Sequence, residues 1–208
     1  MIKRPLLVAL GLLALCTSAV AQVNVVPQVG LITSVLKRNT YSSVALSLPP
    51  ASSATDIACI SGSATKTIAV RRIDISGTAT TLITAPFTLV RRATADTGGT
   101  PATTTANWAN NIAKHDTSDP TATATLISYS ANPTINDASP TYLRSRNMTV
   151  PTTAAGTSIT EIQWQQDDYF SFEKSWVLRG TAQQLCVNLN GNTISTGLLQ
   201  MYVTWTEE

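Results

Sequence analysis

Thr65–Ile75 reads TKTIAVRRIDI, and two phases of alternation meet inside it. Ile68 and Val70 share one parity, whereas Ile73 and Ile75 share the other. Successive side chains of a strand face opposite ways, so a one-residue change of phase sends the apolar set to the other face. A β-bulge at Arg71-Arg72 absorbs one residue and keeps all four apolar side chains on one side. The stretch predicts a long, bulged strand.

The same reading extends outward. Ile57 to Ile60 is a short apolar run that ends at Ser61-Gly62, and the core pattern starts at Asp56. After a turn at Ser76-Gly77-Thr78 comes a strand over Thr80 to Arg92. Proline cannot donate to a ladder, so Pro86 marks that strand as an edge or as interrupted. Val70-Arg71-Arg72 and Val90-Arg91-Arg92 read as two arms of one hairpin. Ala93 to Ala106 is a polar loop, and Asn107 to Lys114 is the one helical turn, with Trp108 and Ile112 at i, i+4. Thr121 to Ser130, Ile159 to Trp164, Ser175 to Leu178, Leu185 to Leu189 and Leu198 to Thr206 are further strands, with loops at Asn132 to Pro140 and Pro151 to Ser158. Asn190-Gly191-Asn192 is a hairpin turn signal, because Asn and Gly tolerate positive φ.

Composition agrees with this pattern. Threonine is about one residue in six, and only 12% of the 208 residues are charged. β-Branched side chains suit a pleated surface, and Glu and Lys, which populate solvated helix faces, are scarce. About eight strands with little helix predict an all-β chain: a single β-sandwich, jelly-roll-like, over residues 56–208. Residues 22–55 are an N-terminal arm or first strand.

Residues 1–21 have the form of a leader. Met1-Ile2-Lys3-Arg4 is basic, Pro5 to Cys16 is apolar, and Ala19-Val20-Ala21 is a small-residue cleavage site before Gln22. A transmembrane anchor is the rival, yet the apolar run is shorter than the ~20 residues a bilayer needs. Cleavage before Cys16, as in a lipoprotein, would want a small residue where Leu15 stands. Without Lys3 and Arg4 the chain carries 12 basic and 12 acidic side chains. A neutral chain with no basic stripe is not built for general nucleic-acid binding, and low net charge permits self-association. Cys59 and Cys186 remain. In an oxidising compartment they are a disulfide candidate, and in the cytoplasm two buried thiols.

No catalytic constellation is legible. His115, the one histidine, sits in KHDTSDP without a Gly-x-Ser-x-Gly elbow, so a solvated loop histidine outweighs a triad with Asp116 or Asp119. One His and two Cys exclude the usual zinc sets, and Asp116 to Asp119 lacks the spaced oxygens of a calcium loop. No metal and no cofactor is expected. Asp167 and Asp168 are adjacent, so on a strand they face opposite ways; with Glu161 and Glu173 they read as solvated rather than as a glycosidase pair. Trp164, Trp176 and Trp205 read as core, with a sugar-stacking platform as the alternative. Arg71, Arg72, Arg91 and Arg92 are the partner-binding candidates, four guanidiniums on one patch. Pairing with Asp74 and Asp96 is the plainer reading.

Two stretches carry a resemblance. One is SWVLRGTAQQL from Ser175 to Leu185, continued by Val187-Asn188-Leu189-Asn190-Gly191 and the closing Val203-Thr204-Trp205-Thr206-Glu207-Glu208. The other is RRATADTGGT from Arg91 to Thr100, followed by Lys114-His115-Asp116. Together they resemble small virion structural proteins of tailed bacteriophages, across most of residues 56–208. The resemblance implies a capsid decoration or head-associated sandwich, often trimeric, that binds the shell and copies of itself. A secretory leader departs from that pattern, since tailed phages assemble in the cytoplasm. The expectation is therefore a non-enzymatic virion protein, against an exported, secreted or periplasmic module that recognises glycans or cell-surface partners.

Overall fold

A computed structural model describes residues 38–153, 160–166, 174–194 and 196–208. The leader lies outside them, as do Asp167, Asp168 and Glu173. Twelve strands are described, in two antiparallel six-stranded sheets. Sheet A holds β1 (Asn39–Leu48), β3 (Ile68–Thr78), β6 (Ala113–Lys114), β9 (Glu161–Gln165), β10 (Trp176–Leu178) and β12 (Leu198–Glu207). Sheet B holds β2 (Ala54–Ser61), β4 (Ile83–Arg92), β5 (Thr100–Pro101), β7 (Thr125–Ala131), β8 (Thr141–Val150) and β11 (Gln184–Asn192).

The order in sheet A is β10-β3-β12-β1-β6, with β9 also on β3, and in sheet B it is β5-β7-β2-β11-β4-β8. First described strand beside last in one sheet (β1 on β12), second beside next-to-last in the other (β2 on β11), then β3 on β12 and β4 on β11, is jelly-roll topology. The sandwich begins at Asn39 rather than at Asp56: β1 pairs with β12 from Asn39↔Glu207 to Leu48↔Leu199.

The bulge forms at the expected place. Thr204 faces Arg72 and Trp205 faces Val70, so β12 skips Arg71. Ile68, Val70, Ile73 and Ile75 are all buried as a result.

Three local expectations are corrected. β3 and β4 lie in different sheets, so the Val-Arg-Arg segments are not arms of one hairpin. β4 is an interior strand, between β11 and β8, and it tolerates Pro86 because the β11 ladder ends at Thr88. Asn190 and Gly191 do have positive φ, at 52° and 76°. However, they kink β11 as the chain leaves sheet B, since β12 belongs to sheet A.

Between the sheets lies a continuous apolar core, with Ile57, Ile60, Phe87, Leu89, Leu185, Val187 and Leu189 from sheet B and Tyr41, Ile73, Ile75, Met201, Val203 and Trp205 from sheet A. Tyr41 stacks on Trp205 with ring centroids 5.6 Å apart. Asn107–Lys114 is not one helical turn. It holds a 3₁₀ turn over Trp108–Asn110 that follows another at Thr104–Ala106, and it ends in β6. Trp108 is fully buried there and its Nε1 donates to the Met201 carbonyl at 3.2 Å, whereas Ile112 is exposed. The bond satisfies the one polar atom of the buried indole, and burial of Trp108 rather than helical i, i+4 spacing sets the local conformation.

Candidate functional site

Alternate residues of sheet B face away from the core and are buried all the same. Cys59 pairs with Cys186 across β2 and β11, Cys186 with Val90, and Gln184 with Arg92. Cross-strand partners share a face, so these side chains form a layer of their own. The segment after β4 folds back over them. Asp96 N donates to Gln184 Oε1 at 2.9 Å, Thr97 bridges to Thr134, and Asn136 Nδ2 donates to the Ala95 carbonyl at 2.9 Å. The expected polar loop is thus a cover, pinned to the sheet by Asp96 from beneath and by residues 134–137 from above.

Under this cover sit three ionisable groups. Arg92 donates through Nε to Asp56 Oδ2 and through Nη2 to Asp56 Oδ1 at 2.8 Å. Asn188 Nδ2 donates to Asp56 Oδ1 as well. Arg92 Nε lies 3.6 Å from Asp96 Oδ1. Asp56 and Asp96 side chains are fully buried and Arg92 is 3% exposed. Two carboxylates therefore share one guanidinium. Burial, then the hydrogen bond and charge of Asp56, push Asp96 up to about 7 against the pull of Arg92 and the Asn136 backbone. Burial works against the Arg92 charge, yet Asp56 and Asp96 hold its pKa above the ordinary value. Tyr129, buried beside them, is pushed up to about 12 by desolvation and by the two carboxylates.

Cys59 and Cys186 are bonded, with Cα atoms 4.1 Å apart across 127 positions of chain. Cys59 Sγ lies 4.0 Å from Asp96 Oδ2, a packing contact because a bonded sulfur has no proton to give. The Sγ atoms and one oxygen from each of Asp56 and Asp96 all fall within 4.8 Å of one another. The count of His and Cys does not anticipate this set, because its other half is carboxylate.

The arginines do not gather. Arg71 and Arg72 are half-buried in sheet A, and Arg72 Nε donates to both Asp74 oxygens at 2.9 and 2.6 Å. Arg91 is exposed and Arg92 is the buried centre of the cluster. The pairs stand in different sheets and Arg92 is buried, which corrects the single patch. The plainer reading of solvated pairs with Asp74 and Asp96 holds for the Arg72–Asp74 contact, whereas Arg92 is buried and hydrogen-bonds Asp56, with Asp96 3.6 Å away.

The remaining candidates disperse as well. His115 is exposed in its loop, the Asp119 carboxylate accepts from Thr40 N at 3.2 Å, and Asp116 accepts from Ser118 N and Oγ. Trp164, Trp176 and Trp205 are buried, so none forms a stacking platform. A third buried carboxylate, Glu207, accepts from Thr123 N, Thr123 Oγ1, Ala124 N and Trp205 Nε1 at 2.7–3.0 Å. It ties the loop before β7 to sheet A. An open groove of about 420 Å³ on the outside of sheet A is lined by Asp74, Ser76, Glu161, Gln200 and Tyr202.

Fold and site together define a disulfide-linked jelly-roll sandwich with its densest ion cluster sealed beneath a loop. No protein-family model matches the chain, and neither a curated protein nor a solved structure matches it. The resemblance to virion proteins rests on the quoted residues alone.

Proposed function

We propose that this protein is a non-enzymatic structural component of a virion, which binds the surface of a capsid and copies of itself and so stabilises the shell. The observation that carries this reading is β8. Among the described strands it pairs only with β4, and Thr141–Asn147 is exposed apart from half-buried Leu143. Tyr142 is 66% exposed, and Arg144 and Arg146 stand on the same stretch. An unpaired edge is a template for another chain, and a Tyr flanked by Arg is interface chemistry. Jelly rolls recur in viral capsids, although that is a likeness of fold and not of function.

Light scattering of the full chain tests self-association: a multiple of 22.1 kDa is expected. Tyr142→Asp with Leu143→Asp should return it to the single-chain mass. Cosedimentation with tailed-phage shells tests the partner. A single-chain mass at high concentration together with no cosedimentation overturns the reading.

The Cys59–Cys186 bond favours a second reading, since disulfides persist in oxidising compartments. On that reading the chain is an exported module, and the sheet A groove, with two carboxylates, an amide and a tyrosine, takes a hydroxyl-rich glycan. Intact mass separates the two. Met1 retained on particles belongs to the virion protein, and Gln22 as first residue belongs to the exported one.

A further inference from the structure

We propose that when Cys59 and Cys186 are reduced, they form with Asp56 and Asp96 a four-ligand site for a zinc-class divalent cation. Four observations converge. The four donor atoms already lie within 4.8 Å of one another, from β2, β11 and the covering loop. Tetrahedral zinc bonds of ~2.0–2.3 Å need donors about 3.3–3.8 Å apart. The carboxylates must draw in by about an ångström, and the sulfurs must move apart.

Second, Asp96 Oδ1 is buried and accepts no hydrogen bond, its nearest cation being Arg92 at 3.6 Å. A buried carboxylate oxygen without a donor is costly, and a metal ion is one way to satisfy it. Third, the outer partners of a metal ligand are in place. Arg92 and Asn188 hold Asp56 by hydrogen bonds, two on Oδ1 and one on Oδ2, and leave Oδ2 a further lone pair for a cation. Fourth, the charges balance. Four anionic ligands, Arg92 and a divalent cation leave one net negative charge, the same as the present two carboxylates and one guanidinium.

The donor set selects the class. Thiolates exclude calcium and magnesium, which take oxygen ligands, whereas two sulfurs with two oxygens suit a borderline ion in tetrahedral geometry. Bond and cation are alternatives, because both staple β2 to β11 through the same two sulfurs. In an oxidising compartment the bond forms. In a reducing one the cation takes its place.

The test uses the full chain reduced by a trialkylphosphine. The phosphine gives two electrons to the S–S bond and takes oxygen from water, whose two protons end on the sulfurs. A bound cation then displaces those protons to solvent. Cobalt(II) is the probe. One equivalent should produce a thiolate-to-metal charge-transfer band and the visible bands of tetrahedral cobalt, both bleached by zinc. The oxidised chain should give neither. Asp96→Asn should weaken the reduced chain's affinity at least tenfold, and Cys186→Ser should remove the charge-transfer band or halve it.

If reduction unfolds the chain, recovery of the native circular dichroism on adding zinc is the expected result. No cobalt band in a folded reduced chain overturns the proposal. So does an affinity unchanged by Asp96→Asn, or a reduced chain that stays unfolded with zinc present.

Discussion

At β2 and β11 the two faces of sheet B are both buried and have almost nothing in common. Toward sheet A, β11 presents Leu185, Val187 and Leu189 to an apolar core. Away from it, the alternate residues Gln184, Cys186 and Asn188 face ions, amides and a disulfide. The inner face is held by area removed from water, which tolerates any apolar side chain of suitable volume. The outer face is held by partners that must each be present. Removing one leaves the others buried and unpaired, so it should be the more brittle of the two.

The largest effect should come from the bond that spans the outer layer. Cys59→Ala with Cys186→Ala should cost about 4–5 kcal/mol in the chain-entropy view, read by urea unfolding without metal. Next is the ion pair. Asp56→Asn should cost about 3–5 kcal/mol, because Arg92 stays buried without its carboxylate. Replacing Asp56, Arg92 and Asp96 together by Leu, Met and Leu should recover most of that loss. A triple variant as unstable as Asp56→Asn would erase the contrast between the faces. On the inner face, Val187→Ala should cost about 1–3 kcal/mol and accept Ile in its place.

A smaller effect is a slope in pH. With the disulfide intact, Asp96 titrates at about 7 when folded, against 3.8 as an ordinary aspartate. The folded chain therefore binds more protons between these values, and stability contributed by protonated Asp96 is complete below pH 4 and lost as pH rises through 7. Asp96→Asn should flatten that part of the stability profile relative to the parent. An unchanged difference across the window would place the proton elsewhere. Smallest of all, Arg91→Ser should move stability by no more than about 0.5 kcal/mol, while its neighbour Arg92→Ser costs several times as much.

The inner face was legible in the sequence, and the outer one was not. Alternation at Ile68, Val70, Ile73 and Ile75 predicts both the burial and the bulge, because apolar side chains report their environment directly. Asp56, Arg92 and Asp96 instead look solvated one at a time, and only a tertiary contact shows each its partner. Arg91-Arg92 illustrates this: a dipeptide of identical residues has one member in water and one in the interior. The same blindness hides β8, whose Tyr142, Arg144 and Arg146 carry no alternation because both sides are exposed. It also blurs β1, whose segment reads as an arm or a first strand, while in the fold Tyr41 and Ala45 alternate inward against β12. Cys59 and Cys186 were nameable as a pair from count and compartment, without any view of the carboxylates beside them.

The pairing of β1 with β12 has a consequence for synthesis. β12 lies at the middle of sheet A, between β1 and β3, and it is made after every other described strand. Until then β1 and β3 have no neighbour between them, and their ladder groups and apolar faces wait in water. Such long-range closure is slow and leaves strand edges exposed. The nascent chain must therefore stay soluble until β12 is made, and its abundance of threonine, β-forming yet hydrated, suits that interval.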